Sequence, residues 1–311
     1  MPSPPLPRYP GPMKTLPFGA GSWDPAAKVL LADGAWGTEF MKRGLAQGDS
    51  PEAWNLIKPD AVRAVALSYA MAGSDIILTN SFGGSRLQLE RHGLAGKTAE
   101  INRRAAEISC SAAQEASQDG RTIVVGGDIG PCGKLFNMGE VEESVLYDAF
   151  AEQALALKEG GAGWIVIETM IDKAEMEIAV RASAATGLPV VASMTYQKMG
   201  DSYRTVMGDT PEDCVAAAIA AGAAVVGANC GSGIDAYVPL AKHLRGLTDR
   251  PLWIKSNAGL PEIQDGKTVY RMGAQSYCSY VPALLAAGVN IVGGCCGTSP
   301  EFIALVRKSI G

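Results

Sequence analysis

Cysteine is where this sequence concentrates its reactive chemistry. Seven cysteines and two histidines, His92 and His243, occur in 311 residues, so a site built from several imidazole ligands is excluded. An odd count in a chain of this length does not read as a disulfide framework, and clustered thiols in a reducing compartment point to metal or catalysis. Three cysteines stand among glycines: Cys230 in Gly227-Ala228-Asn229-Cys230-Gly231, and the pair in Gly293-Gly294-Cys295-Cys296-Gly297-Thr298. Adjacent residues on a regular strand point to opposite faces. Both sulfurs of the pair therefore reach one point only where the backbone bends, which the flanking glycines permit. Three thiolates brought together repel unless a cation holds them, and Zn2+ accepts tetrahedral sulfur ligation. Three protein ligands leave a fourth position open, the mark of a catalytic site. The spacing leaves other readings open. One is a vicinal disulfide, strained and ill suited to a reducing cytosol. Another is three small apolar cysteines at a rim. A third is closure by Cys132, in Gly130-Pro131-Cys132-Gly133, as a structural site of four cysteines. Cys110, Cys214 and Cys278 fall in helical patterns and read as packing residues.

Bringing residues 230 and 295–296 together requires a fold that gathers distant strand ends. Short β-branched or apolar runs recur at 29–33, 75–79, 122–127, 164–168, 190–194, 224–229, 252–256 and 290–293. Between them lie Ala-rich segments of helical period, such as 59–72, 97–116, 141–159, 173–185, 211–221 and 275–287. Several close on a glycine before the next strand, as a left-handed C-cap requires. Strands alternating with helices imply parallel βαβ units. Eight of them fit the α/β class as a (β/α)8 barrel, with 26–311 as a single domain. An open doubly wound sheet would show a glycine fingerprint after its first strand. Asp33-Gly34-Ala35-Trp36-Gly37-Thr38 fails that pattern. Residues 1–25, rich in proline, read as an extended or disordered N-terminal arm. In a barrel the site lies at the C-terminal strand ends. That places Asp33, Glu168, Asn229 with Cys230, Asn257, and Cys295 with Cys296 on one face.

Composition removes other classes. The chain is 47% hydrophobic and 19% charged with a formal net charge of −5, which suits a globular protein and not a disordered one. No basic run stands out, which argues against a nucleic-acid partner. The longest apolar runs, near 215–227, are diluted by Ala and Gly and fall short of the roughly 20 apolar residues of a membrane span. The N-terminus lacks the charged and apolar regions of a secretion signal, so a cytoplasmic location is expected. Assembly into a homo-oligomer is left open.

The chain resembles the homocysteine S-methyltransferase family, most of all the homocysteine-binding barrel of cobalamin-dependent methionine synthase, and more distantly betaine–homocysteine methyltransferase. The resemblance rests on Asp33-Gly34-Ala35-Trp36-Gly37-Thr38-Glu39, Leu78-Thr79-Asn80-Ser81-Phe82-Gly83-Gly84 and Gly127-Asp128-Ile129-Gly130-Pro131. It continues in Ile167-Glu168-Thr169, Gly227-Ala228-Asn229-Cys230, Asn257-Ala258-Gly259 and the Gly-Gly-Cys-Cys-Gly segment, in order through 28–306. It implies a zinc barrel with Cys230, Cys295 and Cys296 as ligands, a zinc-dependent methyltransferase that converts homocysteine to methionine. It also implies that Glu168 and Asp33 take the substrate ammonium. A carboxylate can be met by backbone N–H groups around Gly34 and Ala35. Asn229 and Asn257 are the further substrate-side residues, orienting the metal loops; a purely structural loop hydrogen bond serves equally well for both. The segment 196–209 is long enough for a lid, and Trp54, Tyr196, Tyr203 and Arg204 are candidates to shape the donor side.

The methyl donor is not legible. The barrel accounts for the chain and no Asp-x-His-x-x-Gly corrinoid stretch occurs, so the expected donor is a sulfonium, a betaine or a methyl-corrinoid protein, not folate bound to this chain. Two alternatives follow: a component exchanging methyl groups between a small methylated substrate and a separate corrinoid protein, and a non-enzymatic zinc or redox-sensing barrel.

Overall fold

The computed structural model describes Tyr9 and residues 14–117, 120–264 and 267–311. Eight parallel strands carry the architecture: β1 (Leu30–Leu31), β2 (Ile76–Leu78), β3 (Val124–Ile129), β4 (Trp164–Met170), β5 (Val190–Met194), β6 (Val225–Gly233), β7 (Leu252–Asn257) and β8 (Ile291–Gly294). Their order in the sheet is β1-β8-β7-β6-β5-β4-β3-β2. A bridge between Ala32 and Ile76 joins the two outer strands and closes the cylinder. The expected α/β (β/α)8 barrel is therefore the fold. No helix among the described residues is long and apolar enough to cross a membrane.

The alternation of side chains along each strand separates two cores. Outward residues such as Leu31, Ile77, Ile165, Ile167, Val226 and Ile254 pack against the surrounding helices. Inward residues Leu30, Ala32, Ile76, Leu78, Val124, Trp164, Val166, Val191, Val225, Trp253 and Ile291 fill the cylinder. Strands buried on both faces read as continuous apolar runs, which is why the sequence shows them so clearly. Helix starts follow local chemistry: the Asp172 carboxylate accepts from the N–H groups of Ala174 and Glu175, and Thr210 caps the helix that Pro211 opens.

Two expectations take a different form. The segment 275–287 is two short helices, Ala274–Ser279 and Val281–Ala286, with Pro282 in the first turn of the second. Proline has no N–H to continue the first helix. In the N-terminal arm, Leu16–Phe18 and Gly21–Trp23 pair as an antiparallel hairpin. Phe18 and Trp23 join the inner core, with ring centroids 6.2 and 5.8 Å from Trp164, and the Trp164 indole N–H donates to Pro17 O at 2.7 Å. Trp164 opens β4, so the hairpin stops the N-terminal mouth of the barrel and leaves the opposite mouth for the site. Further out, Tyr9 bridges to Thr248, and residues 1–8 and 10–13 of the expected arm lie outside the described residues.

Candidate functional site

The apolar filling of the barrel ends one layer above Trp253. By alternation, the next inward positions are Asp128 on β3, Glu168 on β4, Ser193 on β5, Asn229 on β6 and Lys255 on β7. All five are nearly or wholly buried. Gly293 makes room for the lysine: a Cβ there would lie 3.0 Å from Lys255 Cγ and 2.9 Å from Ala32 Cβ. The polar layer lies at the strand ends that carry the thiols and forms a floor beneath them.

Two strands reach this site through irregular backbone. The β4–β5 register shifts between Ile167 and Met170, and the β6–β7 register shifts between Asn229 and Gly233. Such bulges re-aim side chains next to sites. Thr169 and Cys230 take left-handed backbone there, with φ of 62° and 61°, a conformation costly for residues with a Cβ. The Asn229 amide holds both bends. Its Oδ1 accepts from Thr169 N at 2.8 Å and Ser193 Oγ at 2.6 Å, and its Nδ2 donates to Thr169 Oγ1 at 2.7 Å. Asn229 Nδ2 also lies 4.0 Å from Cys295 Sγ. Cys230 is further fixed by Tyr237, whose hydroxyl donates to Cys230 O at 2.7 Å.

The cysteine pair is placed by an equally dense set of bonds. Cys295 N donates to Ser256 O at 2.8 Å, Ala258 N to Cys296 O at 2.9 Å, and Thr298 Oγ1 to Cys295 O at 2.7 Å. Gly297, at φ 80°, completes the turn beneath Tyr270; a Cβ there would lie 2.3 Å from the tyrosine ring. The sulfurs of Cys230, Cys295 and Cys296 all lie within 4.8 Å of one another, with 3.9 Å between Cys230 and Cys296. Metal–sulfur bonds of about 2.3 Å at tetrahedral angles require sulfurs ~3.8 Å apart, so the spacing fits a cation. Their protonation agrees. Hydrogen bonds from Cys230 and Cys295 hold Cys296 down at about 3, while bonding to Cys230 and Cys296 pushes Cys295 well above the ordinary thiol value. A cation held among them would let all three ionise.

The other thiols stay outside. All seven cysteines are free, so the pair is not a vicinal disulfide. Cys132, the candidate fourth ligand, is turned into its own loop, where Lys134 N donates to its sulfur at 3.3 Å. Burial and the neighbouring Glu175 raise it to about 12, a neutral thiol. Among the described residues it is not part of the cluster. Cys110, Cys214 and Cys278 stand in helices as expected.

The floor carries a charge that the sequence reading did not single out. Lys255 Nζ lies 2.8 Å from Asp33 Oδ1 and 3.7 Å from Glu168 Oε2, with the lysine side chain 2% exposed. Burial alone opposes its charge, but Asp33 and Glu168 outweigh burial and hold it protonated. The available signal was a lysine at an inward position of Leu252-Trp253-Ile254-Lys255, a strand otherwise of core residues. Asp33, expected as an ammonium ligand, is the lysine's nearest partner. Its oxygens already accept from Lys255 Nζ, from Trp36 Nε1 at 2.7 Å and from Leu78 N at 2.7 Å, and the residue is fully buried. Glu168 differs: its Oε2 is buried without a hydrogen-bond partner. Burial raises its pKa, Lys255 pulls it part of the way back, and Asp33 and Cys230 push it up again.

Of the remaining expected residues, Gly34 and Ala35 lead into the helix Trp36–Lys42, which has no side-chain cap. The Ala35 N–H donates to Thr298 Oγ1 at 3.2 Å, tying this loop to the cysteine turn. Asn257 is buried at the end of β7 with Oδ1 unpartnered. The segment 196–209 forms a short exposed hairpin, Gln197–Met199 with Ser202–Arg204. Tyr196 beneath it is buried, Tyr203 packs on His243 with centroids 5.8 Å apart, and Trp54 packs on Phe40 at 5.5 Å in the outer core. His92 is exposed, while His243 is half-buried and 2.9 Å from Glu212.

Comparison with known proteins agrees with this geometry. The chain is 29% identical to methionine synthase of Mycobacterium leprae over 301 residues, which is 92% of this chain and 24% of that protein. It is also 29% identical to methionine synthase of Mycobacterium tuberculosis, over 91% of this chain and 25% of that protein. It thus spans about a quarter of the length of these curated relatives. The metallated form of the Escherichia coli homocysteine methyltransferase MmuM superposes with a TM-score of 0.76 at 24% identity, covering 90% of this chain and 96% of that one. The oxidized form of MmuM gives 0.76 at 25% identity, covering 90% and 95%. The sequence profile described as Homocysteine S-methyltransferase matches residues 30–310, the whole barrel from β1 to the last helix, and the chain belongs to the homocysteine S-methyltransferase family.

Proposed function

We propose that this protein is a zinc-dependent enzyme that transfers a methyl group to the sulfur of homocysteine, giving methionine. The observation that carries the reading is the convergence of three thiols beside a buried carboxylate, Glu168, whose Oε2 accepts no hydrogen bond and has Lys255 Nζ 3.7 Å away. Cys230, Cys295 and Cys296 would hold Zn2+, which suits a small all-sulfur donor set better than the harder divalent ions do. Zn2+ held by these three residues would lower the pKa of a thiol brought to it, so that the thiol would be available as thiolate at neutral pH. The reaction is an in-line displacement: the S–CH3 bond forms as the bond from methyl to the donor breaks, and the donor leaves with that electron pair. A sulfonium or betaine leaves neutral, which favours either as donor. The chain supplies orientation and exclusion of water. Glu168 takes the ammonium, the uncapped N–H groups after Gly34 and Ala35 face the carboxylate, Asn229 holds the two strand-end bends, and Asn257 offers its free acceptor to a donor in the pocket. The unpaired thiols suit a reducing compartment, which we take to be the cytoplasm.

Neither the family match nor the described geometry supports exchange between a small methylated substrate and a separate corrinoid protein as the reaction. A zinc-storage or redox barrel has no use for a buried floor of lysine and carboxylates.

Two results test the reading. Glu168→Gln is expected to weaken homocysteine binding by about 1.5–3 kcal/mol, the range for a hydrogen bond to a charged group, with metal content unchanged. Calorimetry that finds the same affinity in the variant rules the role out. In a donor screen, methionine is expected from homocysteine with a sulfonium or betaine, with a methylated corrinoid protein as a further arm. None is expected from methyltetrahydrofolate alone, whose amine is a poor leaving group toward a soft thiolate. Methionine produced from methyltetrahydrofolate in the rigorous absence of corrinoid would overturn this donor assignment.

A further inference from the structure

Methyl transfer at this site carries a problem of selectivity. A substrate thiolate would join three resident thiolates of the same chemistry, and only the newcomer is to be methylated. The chain supplies each resident sulfur with a donor. The Gly231 N–H donates to Cys230. Asn229 Nδ2 lies 4.0 Å from Cys295 Sγ while also donating to Thr169 Oγ1. Cys296 takes its donor from a different loop: the Tyr270 hydroxyl is hydrogen-bonded to its side chain. Tyr270 ends the hairpin Pro261–Gln264 with Lys267–Tyr270, where it pairs with Pro261. Its ring lies on Gly297, so closely that a Cβ there would stand 2.3 Å from the ring Cγ. The same turn is tied to this loop through backbone, because Ala258 N donates to Cys296 O at 2.9 Å and Met272 N to Ala258 O at 3.3 Å. The half-buried tyrosine is therefore held against one particular sulfur.

A hydrogen bond stabilises a thiolate, lowers its proton affinity and with it its strength as a nucleophile. A phenol keeps its proton at neutral pH, so toward a thiolate it donates. A sulfur that arrives with a substrate brings none of these donors with it. We propose that Tyr270 is a positioning residue for sulfur selectivity: its hydroxyl quenches Cys296 as a nucleophile, so that the methyl group goes to the substrate thiolate and not to the ligand. The suppressed reaction is a displacement in which a Cys296 S–CH3 bond forms, the bond from methyl to its donor breaks, and the donor leaves with that electron pair. Its product is a thioether, a neutral and weaker ligand, so each such event would cost the protein its metal. Among the three donors this hydroxyl is the one that can be removed cleanly. Gly231 acts through backbone, and Asn229 also holds both strand-end bends. The inference rests on the methyl-transfer reading above.

The test is methylation of the zinc-loaded protein by iodomethane without homocysteine, a small probe that needs no donor site, with the modified cysteines read by peptide mass spectrometry. Tyr270→Phe keeps the ring on Gly297 and removes only the hydroxyl. It is expected to retain the metal and to raise the rate of methylation at Cys296 about tenfold over the parent, the scale of one hydrogen bond to a charged group, with Cys230 and Cys295 changed little. Cobalt-substituted protein gives a second readout. Its sulfur-to-metal charge-transfer band is expected to move to lower energy in the Phe variant, because the freed thiolate gives up electron density more readily. Ring packing alone would move neither signal. Equal rates at Cys296 in parent and Phe variant, an increase shared alike by the three cysteines, or an unmoved band overturns the assignment. An increase confined to Tyr270→Ala, which removes the ring as well, overturns the role of the hydroxyl by showing that the ring shields the sulfur. A parent protein that holds neither zinc nor cobalt on the three cysteines instead overturns the functional reading on which the assignment rests.

Discussion

Serine at position 230, 295 or 296 is expected to lower metal affinity roughly 100-fold or more and to abolish methyl transfer in step. Loss of groups that merely support ligands already costs 10–100-fold, and removing a ligand costs at least as much. Serine is a fair replacement because it keeps the size while exchanging a soft, easily ionised sulfur for a hydroxyl that stays protonated. The geometry makes the three positions equivalent, since their sulfurs lie within 4.8 Å of one another. Cys132→Ser is the internal control. Its sulfur is bonded within its own turn and raised to about 12 by burial and Glu175, so this variant is expected to retain full metal. Elemental analysis of the four purified variants, with methionine formation from homocysteine, decides the matter. Full metal in all three cluster variants, or loss in the Cys132 variant, would sink the three-cysteine centre.

The second large effect concerns stability. Lys255→Met is expected to destabilise the protein by about 3–5 kcal/mol, because it leaves Asp33 as a buried charge without its counter-ion. The lysine and aspartate side chains are 2% and 0% exposed at a separation of 2.8 Å, so solvent screening offers little relief. The double variant Lys255→Met with Asp33→Asn removes both charges and is expected to recover most of the loss, since a neutral pair carries no uncompensated desolvation. Urea titration of parent, single and double variants measures this directly. A single variant as stable as the parent would show that the pair does not organise the floor.

The fold was legible because its signals are local and repeated. The parallel strands are buried on both faces and so appear as apolar runs, and several helices close on a glycine turn. Cys230 and the Cys295–Cys296 pair could be assigned to one face because strand ends in a barrel share a rim. The glycines beside them announced that the backbone would bend there. Glu168 was readable for the same reason, as a carboxylate ending an apolar run.

What the sequence left undetermined were pairings between distant residues. Nothing local to Asp33 shows that Lys255, distant in the chain, occupies its carboxylate, or that the same lysine lies 3.7 Å from Glu168. Nothing near Cys132 shows that its sulfur turns back to Lys134. The hairpin Leu16–Phe18 with Gly21–Trp23 was hidden in a proline-rich stretch, because its two aromatics acquire their role only against Trp164. Strand order, the convergence of the three thiols and the position of the open mouth follow from patterns carried along the chain. Which charge neutralises which is decided by side chains meeting across the closed cylinder, where burial makes a partner's distance matter more than either residue's type.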